Sequence, residues 1–318
     1  MNKKNKQIWK KYYAKNFTRA AMKRLHLGKL APKIKYKKQP HDIEMANSII
    51  YNKLISNKPF MAGRFGETEA RATADALGVK YGAKKKPEKK RLDTLYNNAG
   101  VFPYGAEMEM RFAECMEEYI PEVDVLCIWE TFMQDLLINE YTSADIDLVP
   151  LKTAEPYYSK DPWSKGLEGK KVLVIHPFVK SISSQYNKRE LLFENKDILP
   201  KFELKTLKAV QTIAGQKDER FNDWFEALDY MYNEALKIDF DVAIIGCGAY
   251  GFPLAARLKQ AGKQAIHMGG ATQILFGIKG NRWDKHPVIS KFYNEHWVRP
   301  LPEEGLKNAG KVEGACYW

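Results

Sequence analysis

Two glutamates stand two residues apart in the segment GRFGETE, Gly63 to Glu69, beside an arginine and a glycine. In an extended or turning segment, residues at i and i+2 project to one side, so Glu67 and Glu69 can address one hard divalent cation, Mn2+ or Mg2+, or its waters. Arg64 supplies a planar cation suited to phosphate oxygens, and Gly66 lets the chain turn sharply. The alternative is that two acids in a first helical turn only complement the helix macrodipole. A second segment, VIHPFVKSISSQYNKR, puts His176 at the end of an apolar run as an imidazole that could move a proton. After it, Lys180, Ser181, Ser183, Ser184, Gln185, Tyr186 and Arg189 read as a loop dense in donors for phosphate or sugar hydroxyls, or as an ordinary polar loop with a structural histidine.

The third segment, IIGCGAYGFPLA, satisfies G-x-G-x-x-G with Gly246, Gly248 and Gly251, and Tyr250 lies inside the motif. Such a turn brings backbone amides close to a phosphate at a helix N-terminus, although tight strand-helix packing asks for the same glycines. A dinucleotide fold would place an acidic residue at the end of the next strand to hold a ribose, and His267 stands there instead. Beyond it come Gly269, Gly270, Gln273, Arg282 and Trp283, a loop able to close over a sugar, with Trp283 either a stacking platform or a buried anchor.

These segments need elements to hold them, and the pattern supplies strands alternating with helices. HDIEMANSIIYNKLISNK carries Ile43, Met45, Ile49, Ile50 and Leu54 on one helical stripe. PFMAGRFG reads as a strand, and ETEARATADALG as a helix closing near Gly78, where glycine signals a helix end. Residues 84–91 read as a charged surface connection, 90–98 and 106–119 as helices, and DVLCIW as a strand. KKVLVIHPF, FELKTLKAV, DVAIIG and QAIHMG continue as strands; a long helix with Phe221, Trp224, Phe225, Leu228 and Met231 inward and the helix PLAARLKQAG lie among them. The expected fold is α/β, a doubly wound, mostly parallel, Rossmann-like sheet with helices on both faces. In such sheets ligands bind outside the carboxyl ends of the strands, where all three segments fall.

Charge separates the chain into two parts. Residues 1–40 hold 14 of the 51 Lys and Arg and no acid, leaving 37 basic against 39 acidic residues in 41–318. A basic groove for nucleic acid would spread cations over the main fold, so no nucleic-acid partner is expected. Residues 1–40 read instead as a detachable basic amphipathic helical arm, with Ile8, Trp9, Tyr12, Tyr13 and Phe17 among lysines, as in a segment resting on an anionic bilayer. Residues 41–318 form the catalytic body, with a lobe seam expected near 150–169, a stretch rich in Pro, Tyr, Lys and Gly. Cys115, Cys127, Cys247 and Cys316 are scattered without metal-site spacing and read as reduced, mostly buried thiols. With no apolar run long enough to span a bilayer and no signal-peptide pattern, the expected location is the cytoplasm, peripherally on the inner face of the membrane.

GRFGETE resembles the R-F-G-D-G-E segment of the GT-D class of bacterial glycosyltransferases, and GCGAYGFPLAARLKQAGKQAIHMGG resembles that family's closing strand-helix-strand. The likeness runs over about residues 55 to 285 and implies transfer of a sugar from a nucleotide-sugar donor such as a UDP-sugar to a surface glycan or lipid-linked acceptor. It also implies that Glu67 and Glu69 stand for the family's acidic pair at metal and donor, with Glu67 in place of Asp and Thr68 in place of Gly. The expected donor site therefore joins Arg64, Gly66, Lys180, Ser181, Gln185, Tyr186, Gly246, Gly248, Tyr250, Gly251, His267, Gly269 and Gly270, with Glu67, Glu69 and His176 catalytic. The rival expectations are an NAD-dependent nucleotide-sugar dehydrogenase or epimerase, and a non-catalytic glycan-binding relative.

Overall fold

The computed structural model describes residues 2–305 and 317–318. Seven strands, β1 (Phe60–Arg64), β2 (Val125–Ile128), β3 (Asp147–Pro150), β4 (Lys171–His176), β5 (Glu203–Lys208), β6 (Val242–Ile245) and β7 (Gln264–His267), form one sheet ordered β3-β2-β1-β7-β6-β4-β5. Every pairing in it is parallel. Around it lie α1 (Asn2–Arg24), α2 (Ile43–Ile55), α3 (Glu67–Lys80), α4 (Lys89–Asn97), α5 (Ala106–Tyr119) and α6 (Gln134–Tyr141). Then follow α7 (Val179–Tyr186), α8 (Arg189–Leu192), α9 (Trp224–Leu236), α10 (Gly251–Gln260) and α11 (Thr272–Leu275).

Alternation along the strands splits the core into two layers. Met61, Leu126, Leu173, Ile175, Ala243 and Ile245 point to a layer filled by α1, α3, α4, α5, α6, α9 and α10. Phe60, Ala62, Val125, Val172, Val174 and Ile244 point to the opposite layer with α2, α7, α8 and α11. A parallel strand covered on both faces needs apolar residues at every position, which is why VLVI and VAII are unbroken runs. Local caps set where helices start: Asp42 accepts from the Met45 amide at 2.8 Å ahead of α2, and Asp223 accepts from the Phe225 and Glu226 amides at 2.9 and 3.0 Å ahead of α9.

Several expectations change. Met45 is exposed, while Ile50 and Leu54 of the same helix are buried. As expected, α3 closes near Gly78, at Lys80, and Gly78 also leaves room for the Trp9 ring: a Cβ there would sit 2.6 Å from Trp9 Cζ2. Of the aromatic stripe read as membrane-facing, Trp9, Tyr12 and Tyr13 pack inward, whereas Phe17 is exposed. Trp9 is buried and donates its indole N–H to the Ala74 carbonyl at 2.7 Å, Asn16 donates to Asp135 at 2.8 Å, and Arg19 pairs with Glu130. Residues 151–167 hold three 3-10 turns with Trp163 fully buried, and strands from both sides of this stretch share the one sheet. Cys115, Cys127 and Cys247 are buried free thiols, whereas Cys316 lies outside the described residues. Burial pushes the Cys115 and Cys127 thiols up to about 12. Among the described residues no helix is long and apolar enough to cross a membrane.

Candidate functional site

A cavity of about 490 Å3 opens at the carboxyl end of the sheet, walled by residues that follow β1, β2, β4, β5, β6 and β7. The chain leaves β1 toward β2 on one side and β4 toward β5 on the other, so the cavity occupies the region where an open parallel sheet divides. Five cationic side chains line it, Arg64, Arg71, Lys90, Arg91 and Arg282, against the carboxylates of Glu67 and Glu69. That excess is a field for an anion.

Arg64 closes β1. Its guanidinium lies 5.3 Å from the Trp129 ring centroid and passes beside Gly269, whose φ of +65° keeps a side chain out of the way. The Arg64 fork lines the cavity, in a position to meet phosphate oxygens. Glu67 and Glu69 both line the cavity, but they sit in the first turn of α3, and helical geometry turns residues two apart to different sides. Glu67 accepts from Arg71 Nε at 2.8 Å and pairs with the same guanidinium at 2.6 Å. The Glu69 side chain folds back over Gly66, occupying the space a Cβ would take. Each carboxylate is thus engaged on its own, and among the described residues no third His, Cys, Asp or Glu joins them in a metal-holding group. The donor set thus does not fit a divalent cation held by the chain itself.

His176 and His267 line the cavity, both buried. Burial brings His176 down to about 3, and its Nδ1 accepts from the Phe178 amide at 3.0 Å, so the proton resides on Nε2. With Nδ1 engaged and its charged form disfavoured by burial, the ring presents Nε2–H as a hydrogen-bond donor. Burial and then the nearby Arg64 charge bring His267 down to about 3; its Nδ1 lies 3.3 Å from the Ile245 carbonyl.

The glycine motif divides into two jobs. At Gly246 a Cβ would lie 2.6 Å from Thr272 Oγ1, 2.7 Å from His176 Cδ2 and 2.8 Å from the Gly269 carbonyl oxygen, so no side chain fits. Gly248 adopts φ of +60° with open space before it, and both line the cavity ahead of α10. Gly251 lies outside the cavity lining and gives its space to the His267 ring. Tyr250 lines the wall, but its hydroxyl is 2.8 Å from Thr212 Oγ1 and its ring stacks on Trp224 with centroids 4.8 Å apart. Gly270 lines the cavity and is covered by the Tyr317 ring.

The donor-rich loop is a different object. Its residues form α7, and Lys180, Ser181, Gln185 and Tyr186 all lie outside the cavity lining. The Lys180 and Ser181 amides donate to Glu304 at 2.7 and 3.1 Å, and Gln185 donates to the Gly277 and His296 carbonyls. The Tyr186 hydroxyl donates to the Phe202 carbonyl at 2.8 Å. These polar groups fasten the carboxyl-terminal segment and the start of β5, apart from the cavity that holds the other expected donor-site residues. Trp283 is a buried anchor. In its place the aromatic residues Trp129, Tyr317 and Trp318 line the cavity. Lys90 and Arg91, expected on a surface connection, also face it. Trp129 follows a strand directly and the strand-end rule would have found it, whereas only tertiary folding brings α4 and Trp318 here.

No known protein family matches the chain, and no curated protein matches it. Two solved structures of a domain of unknown function numbered 1792 are similar to it, one selenomethionine-substituted and the other described as having a distinct glycosyltransferase fold. Each is 14% identical, with 87% of this chain and 95% of that chain covered and a TM-score of 0.45.

Proposed function

We propose that this chain is a glycosyltransferase whose cavity takes a nucleoside-diphosphate sugar, a UDP-sugar in the first instance, and passes the sugar to a glycan or lipid-linked acceptor. The observation that carries the reading is the joining, in one cavity at the carboxyl rim, of a five-cation wall with the glycine turn at Gly246 and Gly248. A diphosphate leaving group accumulates negative charge, and two unit charges 4 Å apart interact by about 4 kcal/mol at an effective dielectric of 20. Arg64 and its cationic neighbours are the groups that would offset that charge, from positions fixed before the donor arrives. No step is assigned to a metal. With His176 held neutral and its Nδ1 engaged, Glu69 is the group assigned to take the acceptor's proton. An NAD reading is less well supported, since buried His267 ends β7 where a ribose-binding carboxylate would stand.

The experiment is a calorimetric titration of the chain with UDP-sugars and with NAD, followed by donor turnover for the chain and for Glu69→Gln. The expected result is UDP-sugar binding retained in Glu69→Gln and turnover lowered about 100-fold, the middle of the range for loss of a general base. Tighter binding of NAD would sink the reading, as would near-normal turnover in the variant. Binding without turnover on any acceptor would leave a glycan-binding relative.

A further inference from the structure

We infer that the carboxyl end of α1 and the turn after it form a docking surface for an anionic lipid bilayer. Four large apolar side chains that stay largely exposed among the described residues lie within fourteen residues: Phe17, Leu25, Leu27 and Leu30 are 60%, 67%, 47% and 74% exposed. Phe17 and Arg24 are seven apart, on one helical stripe and about 10 Å along the axis, so the phenyl ring and the leucine turn address the same side. Seven Lys and Arg between Lys23 and Lys38 surround them, all exposed, and residues 1–40 contain no acid. Exposed leucines alone would fit many partners; leucines among exposed cations, of which Lys23 alone approaches a carboxylate among the described residues, fit a surface that is negative outside and apolar beneath, which is a phospholipid headgroup layer over its acyl boundary.

The inner stripe of α1 makes this surface rigid. Trp9 is seated against α3 and Asn16 against Asp135, so α1 reaches the body through one face and presents the other. Arg19 and Lys23 both approach Glu130, the residue after the cavity-lining Trp129. The docking surface therefore adjoins the cavity rim, and a bilayer resting on it would lie beside the opening where an acceptor must enter.

The test is flotation of the full chain with vesicles of phosphatidylcholine alone or with phosphatidylglycerol added, with no donor or acceptor present. The expected result is binding to the anionic vesicles only, weakened by salt, and lowered about tenfold both in a Leu25→Ser, Leu27→Ser, Leu30→Ser triple variant and in Arg24→Glu with Lys29→Glu. Unchanged UDP-sugar binding and melting in those variants separates lost docking from lost folding. Equal binding to neutral vesicles, wild-type binding in both variants, or tighter binding to single-stranded RNA than to anionic vesicles would overturn the inference. None of these outcomes touches the donor reading, which is measured without vesicles.

Discussion

Replacing Arg64 by alanine removes the one cavity guanidinium that closes a strand among the described residues. A hydrogen bond to a charged group contributes about 1.5–3 kcal/mol, so Arg64→Ala is expected to weaken UDP binding by roughly 10- to 100-fold. Arg64→Lys should recover part of the loss, because a lysine keeps the charge and loses the fork. Titration calorimetry with UDP reads both, and equal affinity across wild type, alanine and lysine would remove Arg64 from the site. The neighbouring Gly248 can be tested through backbone conformation: its φ of +60° costs an L side chain about 1–2 kcal/mol. Gly248→Ala should therefore lower stability by about that amount, read by denaturant titration. A similar loss at Gly63, which has no such φ, would remove the backbone explanation.

Between α1 and α3 the packing makes a prediction whose sign is opposite to that of helix propensity. Gly78 sits in the last turn of α3, where alanine would ordinarily stabilise by up to about 1 kcal/mol. The Trp9 ring fills the space above it, so Gly78→Ala is expected to destabilise by about 1–3 kcal/mol, as overpacking does. Combined with Trp9→Leu the alanine should lose its penalty, and a double-mutant cycle by denaturant titration measures that coupling. The same contact shows what the sequence could and could not disclose. Strands β1, β4, β6 and β7 and the helices following β1 and β6 were legible, because burial on both faces leaves long apolar runs and glycine marks the turns. The helix end near Gly78 was legible as well, since α3 closes at Lys80, but the contact with Trp9, 69 residues away, was not. The segment after His176 was misread because Ser, Lys and Gln resemble a binding loop in composition, while their partners, Glu304 for the Lys180 and Ser181 amides and the Gly277 and His296 carbonyls for Gln185, arrive from far along the chain. The i, i+2 argument for Glu67 and Glu69 failed one residue into a helix, where period 2 gives way to 3.6.

Across the whole molecule, titration of buried groups shapes stability in two opposing directions. His176 and His267 are held near 3 by burial, so the unfolded chain takes up two protons that the folded chain refuses, and stability is lost as pH falls below the ordinary imidazole value. Glu109 has the reverse sign. It is fully buried in the first turn of α5 with both carboxyl oxygens unpartnered, and burial, then the Asp75 charge, push it up to about 8. Here the folded chain keeps a proton the unfolded chain gives up above about 4.5, so stability is lost as pH rises toward 8. Glu109→Gln should therefore raise the melting temperature at about pH 8, by on the order of 1–3 kcal/mol in stability, and change it little at about pH 4. Scanning calorimetry at both pH values decides, and an equal shift at both would mean that ionisation is not the cause. The sheet order has a consequence for synthesis as well. β1 pairs with β7 from Phe60↔Gln264 to Ala62↔Ile266, so the strand carrying Arg64 keeps one bare edge until residue 266 has been made. A ribosome adding about 5–20 residues per second takes on the order of 10–40 s to cover that interval. During it the nascent chain offers an unpaired hydrophobic strand to any chaperone at the tunnel exit, and a chain cut off before β7 would go to aggregation or proteolysis instead of keeping half a cavity.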